Sequence, residues 1–267
     1  MTKKKQIVKE VKQMDAYTAF AKVYDKFMSD IPYEEWHKYI VDLLKENGIE
    51  NGTVAELGCG TGTMTEMLAD SGYDMIGIDC SEDMLIKANE KKYETGSNIL
   101  YLMQDMCELE LYSTVDAFVS ICDSVNYILD DEDLQEAFTR VNEYLDDDGV
   151  FIFDFKTDYF YRNVLGDTVI AQSEDDCSYI WDNYYYDEDK VNEYQLTIFI
   201  KDNENPSDNM FRQFKETHYQ RGYTVDEIKS IVENSGLKID KIYDAFTKNK
   251  EEADSERIYF ICKKGEN

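Results

Sequence analysis

The sequence has no apolar run long enough to cross a membrane, no CxxC pair, and no basic cluster beyond lysines in twos and threes. Each absence removes a class of function. The only long charge-poor stretches are strand-sized, so a soluble chain is expected. The N-terminus, Met1-Thr2-Lys3-Lys4-Lys5-Gln6, is basic but is followed by mixed polar and apolar residues and not by a continuous apolar segment, which argues against a secretory signal. Six scattered cysteines (Cys59, Cys80, Cys107, Cys122, Cys177 and Cys262) fit a reducing cytoplasm and no structural zinc. The acidic balance, 57 Asp and Glu against 28 Lys and Arg for a net charge of -29, weighs against nucleic acid as a partner. Most of those carboxylates read as solvated surface.

What stands out is residues 54 to 62, Val54-Ala55-Glu56-Leu57-Gly58-Cys59-Gly60-Thr61-Gly62. A short apolar run breaks into alternately spaced glycines and then enters a helix-like stretch. A strand that stops at a glycine turn lets backbone approach a ligand and aims the next helix's N–H groups at its oxygens. A nucleoside cofactor is the expected occupant.

The surrounding pattern alternates. A helical segment runs from about Val8 to Met28, and a second follows Pro32 and ends at Asn47-Gly48, with Trp36, Ile40, Leu43 and Leu44 on one face. After the turn come a helix Thr63 to Ala69, a strand Tyr73 to Ile78 ending at Asp79, and an N-cap at Ser81 with an acidic first turn. Strands near Ile99 to Met103, Val115 to Ile121 and Val150 to Phe155 follow, with a helix opening at Asp131. From about Thr168 to Tyr219 the pattern becomes aromatic with period two, as in Ser178 to Tyr186 and Tyr194 to Phe199, which reads as antiparallel strands. A capping box at Thr224 to Glu227 and strands Leu237 to Tyr243 and Arg257 to Cys262 close the chain. No internal repeat or low-complexity linker is present. The expected class is α/β: a mostly parallel, doubly wound sheet with its ligand at the carboxyl ends of the strands, carrying an inserted antiparallel β segment.

The glycine turn alone is weak evidence, since dinucleotide-binding proteins carry one too. Their fingerprint is GxGxxG, whereas this chain has GxGxG with Thr63 where the final glycine would fall. Asp79, about twenty residues on, stands where a carboxylate accepts both hydrogen bonds of a ribose diol. Gln104-Asp105-Met106, after the third strand, offers an acceptor for an exocyclic amine and an apolar face for an adenine ring.

Together, Glu56-x-Gly58-x-Gly60-x-Gly62, Asp79, Asp105-Met106 and the strand Phe118 to Cys122 before Asp123 resemble the ordered motifs of the class I S-adenosylmethionine-dependent methyltransferases. The resemblance covers about residues 15 to 263. It implies a Rossmann-like seven-stranded sheet over residues 51–165 and 221–267, an N-terminal helical lid over 1–50, and an inserted substrate-side β subdomain over 166–220. It implies S-adenosylmethionine as cofactor. Gly58 and Gly60 would then approach the methionine part, Asp79 the ribose and Asp105 the adenine amine, with Met106 against the ring and the Cys122 backbone near the ammonium. Glu56, Cys59, Cys80, Met84 and Gln104 complete the expected cofactor-binding set.

Tyr24-Asp25-Lys26-Phe27-Met28 and Trp36-His37-Lys38-Tyr39-Ile40 resemble the cofactor lid of small-molecule N-methyltransferases of the glycine and amino-sugar type, and Cys122 to Asn126 resembles their substrate-facing turn. Tyr17, Tyr24 and Trp36 are the lid candidates by that resemblance, or else the buried face of the first helices. Those enzymes often place Asn at the turn, where this chain has Asp123. The implied reaction is methyl transfer to a small molecule, with an amine as one acceptor class. An amine must lose a proton before attack. Asp123, at a strand end, and His218, one of only two histidines, are the candidate bases, against capping of the following turn for Asp123 and a structural role for His218. A macromolecular acceptor (tRNA or protein), an NAD-dependent oxidoreductase and a non-catalytic cofactor-binding module are the competing readings.

Overall fold

The computed structural model describes residues 20–27, 32–202 and 210–265. Tyr17, Met28 and the turn around Pro206 lie outside them. The expected first helix is not continuous where it is described: a 3-10 turn, Phe20–Lys22, gives way at Val23 to a one-turn helix, Tyr24–Phe27. Helix α1 (Tyr33–Glu46) begins after Pro32 and ends at Asn47, and Gly48 takes the left-handed conformation that closes it. There follow β1 (Gly52–Leu57), α2 (Thr63–Asp70), β2 (Tyr73–Asp79), α3 (Glu82–Thr95), β3 (Leu100–Met103) and β4 (Val115–Ser120). Next come α4 (Asp131–Tyr144), the long strand β5 (Leu145–Lys156) and a π-helical turn, Phe160–Leu165. The aromatic stretch forms β6 (Val169–Ser173), β7 (Cys177–Tyr186), β8 (Val191–Lys201) and β9 (Phe211–Arg221). Helix α5 (Val225–Asn234) and strands β10 (Lys238–Asp244) and β11 (Arg257–Lys263) complete the fold.

The seven-stranded sheet has the order β10-β11-β5-β4-β1-β2-β3. Its β3-β2-β1-β4-β5 pairs are parallel, and β11 runs antiparallel to both β5 and β10. Strand order reverses between β1 and β4, so their carboxyl ends diverge and leave a crevice. Side-chain alternation splits the sheet between two cores. Ala55, Leu57, Phe118, Phe151 and Phe153 pack under α4 and α5, while Val54, Ala117, Val119 and Ile152 pack under α1 and α2. Glu56 falls on the α2 side by the same alternation.

Strands β6-β7-β8-β9 form a separate antiparallel sheet. Its inner face carries Cys177, Leu196 and Ile198, which bury Phe20, Val23 and Phe27 of the N-terminal segment. The N-terminal turn is therefore sandwiched between the second sheet and the glycine turn. No helix among the described residues is long and apolar enough to cross a membrane.

Candidate active site

Backbone bonds fix the glycine turn to the end of β2. The Gly58 and Cys59 N–H groups both donate to Ile78 O, at 2.8 and 3.0 Å. Asp79 completes the cradle, its Oδ2 accepting from Gly60 N and its Oδ1 from Ser81 N, each at 2.8 Å. Burial lifts the Asp79 carboxyl above its usual range, and those N–H groups pull it back only in part. Gly58 has φ 72°, and a Cβ there would come within 2.5 Å of Ser124 Oγ, so β1 and the segment after β4 meet without side-chain clearance. At Gly60, by contrast, a Cβ would meet nothing within 4 Å. The turn faces open space there, which is where a ligand needs it.

Glu56 is buried beneath this loop. Thr65 Oγ1 donates to its Oε2 at 2.5 Å, and burial pushes its carboxyl up to about 8. Cys59 is buried and packs toward Gly77, so it serves the site through its backbone. Cys80 is exposed, and Met84 is buried in the first turn of α3, which Ser81 caps through Met84 N at 3.3 Å. Asp105 N-caps the short turn Met106–Glu108 by accepting from Cys107 N at 2.9 Å. Gln104 differs from expectation. Its amide donates to Glu110 O and accepts from Glu110 N, both at 3.0 Å, so it closes a loop and leaves Asp105 as the acceptor of that triplet.

Across the crevice stand tyrosines. Tyr24 is hydrogen-bonded to Tyr33, and burial, with the neighbouring Tyr33, Cys122 and Tyr127, raises its hydroxyl well above the usual range. Asp25 clasps the lid to the glycine turn, accepting from Thr61 Oγ1 at 2.6 Å and pairing with Lys91 Nζ at 2.7 Å. Lys26 pairs with Asp176 on the second sheet, and Phe20 N donates to Glu216 Oε1 at 3.0 Å. The N-terminal turn is thus tied on both sides.

Of the two readings of Trp36, lid or buried helix face, the structure shows burial, with Tyr33 6.1 Å from its ring. It stacks on Phe246 at 5.3 Å with the Arg257 guanidinium 5.1 Å from its ring, and packs in the core beneath the sheet's α1 side.

The two candidate bases, Asp123 and His218, both lie in dense networks of contacts. Burial alone would raise Asp123, but Lys156 and Arg257 beside it draw its carboxyl below the usual range. Arg257 Nη2 lies 2.7 Å from its Oδ1, Lys156 Nζ 3.5 Å and Gln220 Nε2 3.0 Å from its Oδ2. A carboxylate held by two cations is a poor proton acceptor. His218 is 5% exposed, with Nε2 3.2 Å from Glu216 Oε2 and its ring packed by Phe20 and Tyr127.

Sequence reasoning missed Tyr33, Tyr127, Glu216, Gln220 and Arg257. Glu216, His218 and Gln220 alternate along β9, so the period-two pattern held that signal. For Arg257, 134 residues from Asp123, nothing local did.

The residues present fit S-adenosylmethionine: a ribose acid, an adenine acceptor with an apolar neighbour, and glycine backbone facing open space. The sequence profile described as "Methyltransferase domain" matches residues 54–149. YqeM of Bacillus subtilis (strain 168), classed by name with the methyltransferases, is 34% identical over 93% of this chain and 97% of its own length. The crystal structure of an S-adenosylmethionine-dependent methyltransferase from Clostridium acetobutylicum ATCC 824 superposes with a TM-score of 0.82 at 30% identity, covering 94% of this chain and all of that one. The sugar N-methyltransferase KedS8 from Streptoalloteichus sp. shares the fold, with a TM-score of 0.75 at 16% identity over 91% of this chain and 93% of its own. The chain belongs to the class I S-adenosylmethionine-dependent methyltransferases, and S-adenosylmethionine is its cofactor.

Proposed function

We propose that the enzyme methylates a small-molecule acceptor, and that the acceptor atom is an amine nitrogen. The observation that carries this reading is the roof. Tyr24, Tyr33 and Tyr127 gather near Cys122 after β4, and the N-terminal turn that carries Tyr24 buries Phe20, Val23 and Phe27 against the second sheet. Aromatic side chains gathered there suit a small molecule better than a folded RNA or a protein surface. The fold shared with KedS8 agrees with it.

The bound cofactor supplies a methyl group on a positively charged sulfur, already activated for in-line displacement. The chain's own residues have three tasks. Asp79, Asp105 and Met106 hold the nucleoside, Gly58 and Gly60 let backbone close on the methionine end, and the tyrosine faces exclude water around a cation. Orientation of this kind is worth effective molarities on the order of 10⁵ M. With Asp123 held ionised by Arg257 and Lys156, and His218 shut under Phe20, the acceptor amine enters as its free base and no side chain takes a proton during transfer.

The test is formation of S-adenosylhomocysteine with a panel of small amines, amino sugars included, set beside total tRNA and protein fractions. Turnover with an amine, rising with pH toward the amine's own pKa and unchanged in that limb by His218→Asn, is the expected result. Methyl incorporation into RNA or protein alone would overturn the acceptor class.

A further inference from the structure

Cys122 and Asp123 are consecutive non-glycine residues with φ 59° and 57°, in the left-handed region that L side chains avoid. Two such residues in a row persist only where the surroundings hold them. The turn they make abuts the glycine turn, because Ser124 Oγ lies 2.8 Å from Ile121 O and 3.3 Å from Gly58 O.

The restraint comes from the far end of the chain. Asp123 N donates to Asp154 Oδ1 at 2.8 Å. Arg257, the first residue of β11, bridges both acids, with Nη1 2.6 Å from Asp154 Oδ2 and Nη2 2.7 Å from Asp123 Oδ1. Gln220 Nε2 takes the remaining Asp123 oxygen at 3.0 Å. The Asp154 side chain is fully buried, and that of Arg257 is 12% exposed, braced by the Trp36 ring. One planar guanidinium thus ties the turn's side chain and the acceptor of its backbone N–H to a single rigid fork, which a lysine cannot do.

We propose that Arg257 is a positioning residue for the methionine end of the cofactor, acting through Asp154 and Asp123. It holds the left-handed pair so that the Cys122 backbone faces the cofactor's amino-acid end beside Gly58. The inference rests on the cofactor assignment above and deepens it by dividing the site. The Asp79 and Asp105 end should not depend on Arg257, while the Cys122 end should.

The experiment compares two ligands by calorimetry. S-adenosylhomocysteine carries the amino-acid end, and 5′-methylthioadenosine lacks it. In Arg257→Gln, affinity for S-adenosylhomocysteine is expected to fall tenfold or more, with affinity for 5′-methylthioadenosine within twofold of wild type. Adding Asp123→Gly, whose residue adopts the left-handed conformation without strain, is expected to bring S-adenosylhomocysteine back to within threefold. Arg257→Lys, which keeps the charge but not the fork, should show the same ligand selectivity at smaller size and serves if the Gln variant does not fold. Equal losses for both ligands, no loss for either, or no recovery in the double variant would overturn the proposal. If the wild-type protein bound neither ligand, the cofactor assignment would fail. The brace would then be judged by hydrogen exchange at the Asp123 amide, expected slow in wild type and fast in Arg257→Gln; equal rates would overturn it.

Discussion

The cofactor half of the site is built from backbone groups close in sequence, and the roof from side chains far apart in it. Asp79 meets Gly60 and Ser81 through main-chain N–H groups, and Gly58 hangs from Ile78 O. In the roof, Phe20 reaches Glu216, Lys26 reaches Asp176, and Gln220 reaches Asp123, each across about a hundred residues or more. Backbone geometry constrains the sequence to glycines and short acids at fixed spacing. Side-chain geometry can be met by many sequences, so it leaves a weaker local signal.

The largest effect expected from this contrast is in the cofactor half. Asp79→Ala removes the acceptor of two loop N–H groups and, on the proposed reading, the acceptor of the ribose diol. Affinity for S-adenosylhomocysteine should fall by about 100-fold, or about 2.7 kcal/mol at about 1.4 kcal/mol per decade, as read by calorimetry. An unchanged affinity would place the ribose elsewhere and break the division.

Glu56 gives a smaller effect, one that depends on pH. Its carboxyl, pushed up to about 8 by burial, favours the neutral form in the folded protein. The fold is therefore most stable with respect to this group below its ordinary pKa near 4.5 and loses that stability as pH rises toward 8. A lift of this size is a few kcal/mol, at about 1.4 kcal/mol for each tenfold change in proton affinity. Glu56→Gln, neutral at every pH, should flatten the decline in urea midpoint between pH 5.5 and pH 8.5. Parallel declines in wild type and variant would sink the assignment of that slope to Glu56.

The same contrast explains how far the sequence could be read. The strand and helix order, the turn at Gly58, the Ser81 cap and the capping box at Thr224 were all legible, because each rests on a local signal: periodicity, φ > 0, or a side chain reaching N2 or N3. The strand expected to run to Cys122 stops at Ser120, so Asp123 stands in the turn after β4, and its partners Arg257 and Gln220 are fixed only by tertiary pairing. Trp36 was open in sequence for a related reason. An aromatic on the buried face of α1 looks the same in sequence whether it meets a cofactor or, as here, Phe246. The break in the first helix at Val23 likewise answers to packing against the second sheet and not to local propensity.

The smallest effect belongs to the roof's outer edge and separates packing from charge as the force that holds it. The Lys26 and Asp176 side chains are 42% and 59% exposed, so solvent screens their ion pair and rotamer entropy opposes it. Phe20, Val23 and Phe27, in contrast, are each at most 8% exposed, against Cys177, Leu196 and Ile198. Lys26→Ala should leave the melting temperature unchanged within error and move the acceptor KM by less than about twofold, shrinking further in added salt. Were KM to rise tenfold while kcat held, the roof would be latched by charge, and its rim would join the cofactor half as a place where single polar groups decide binding.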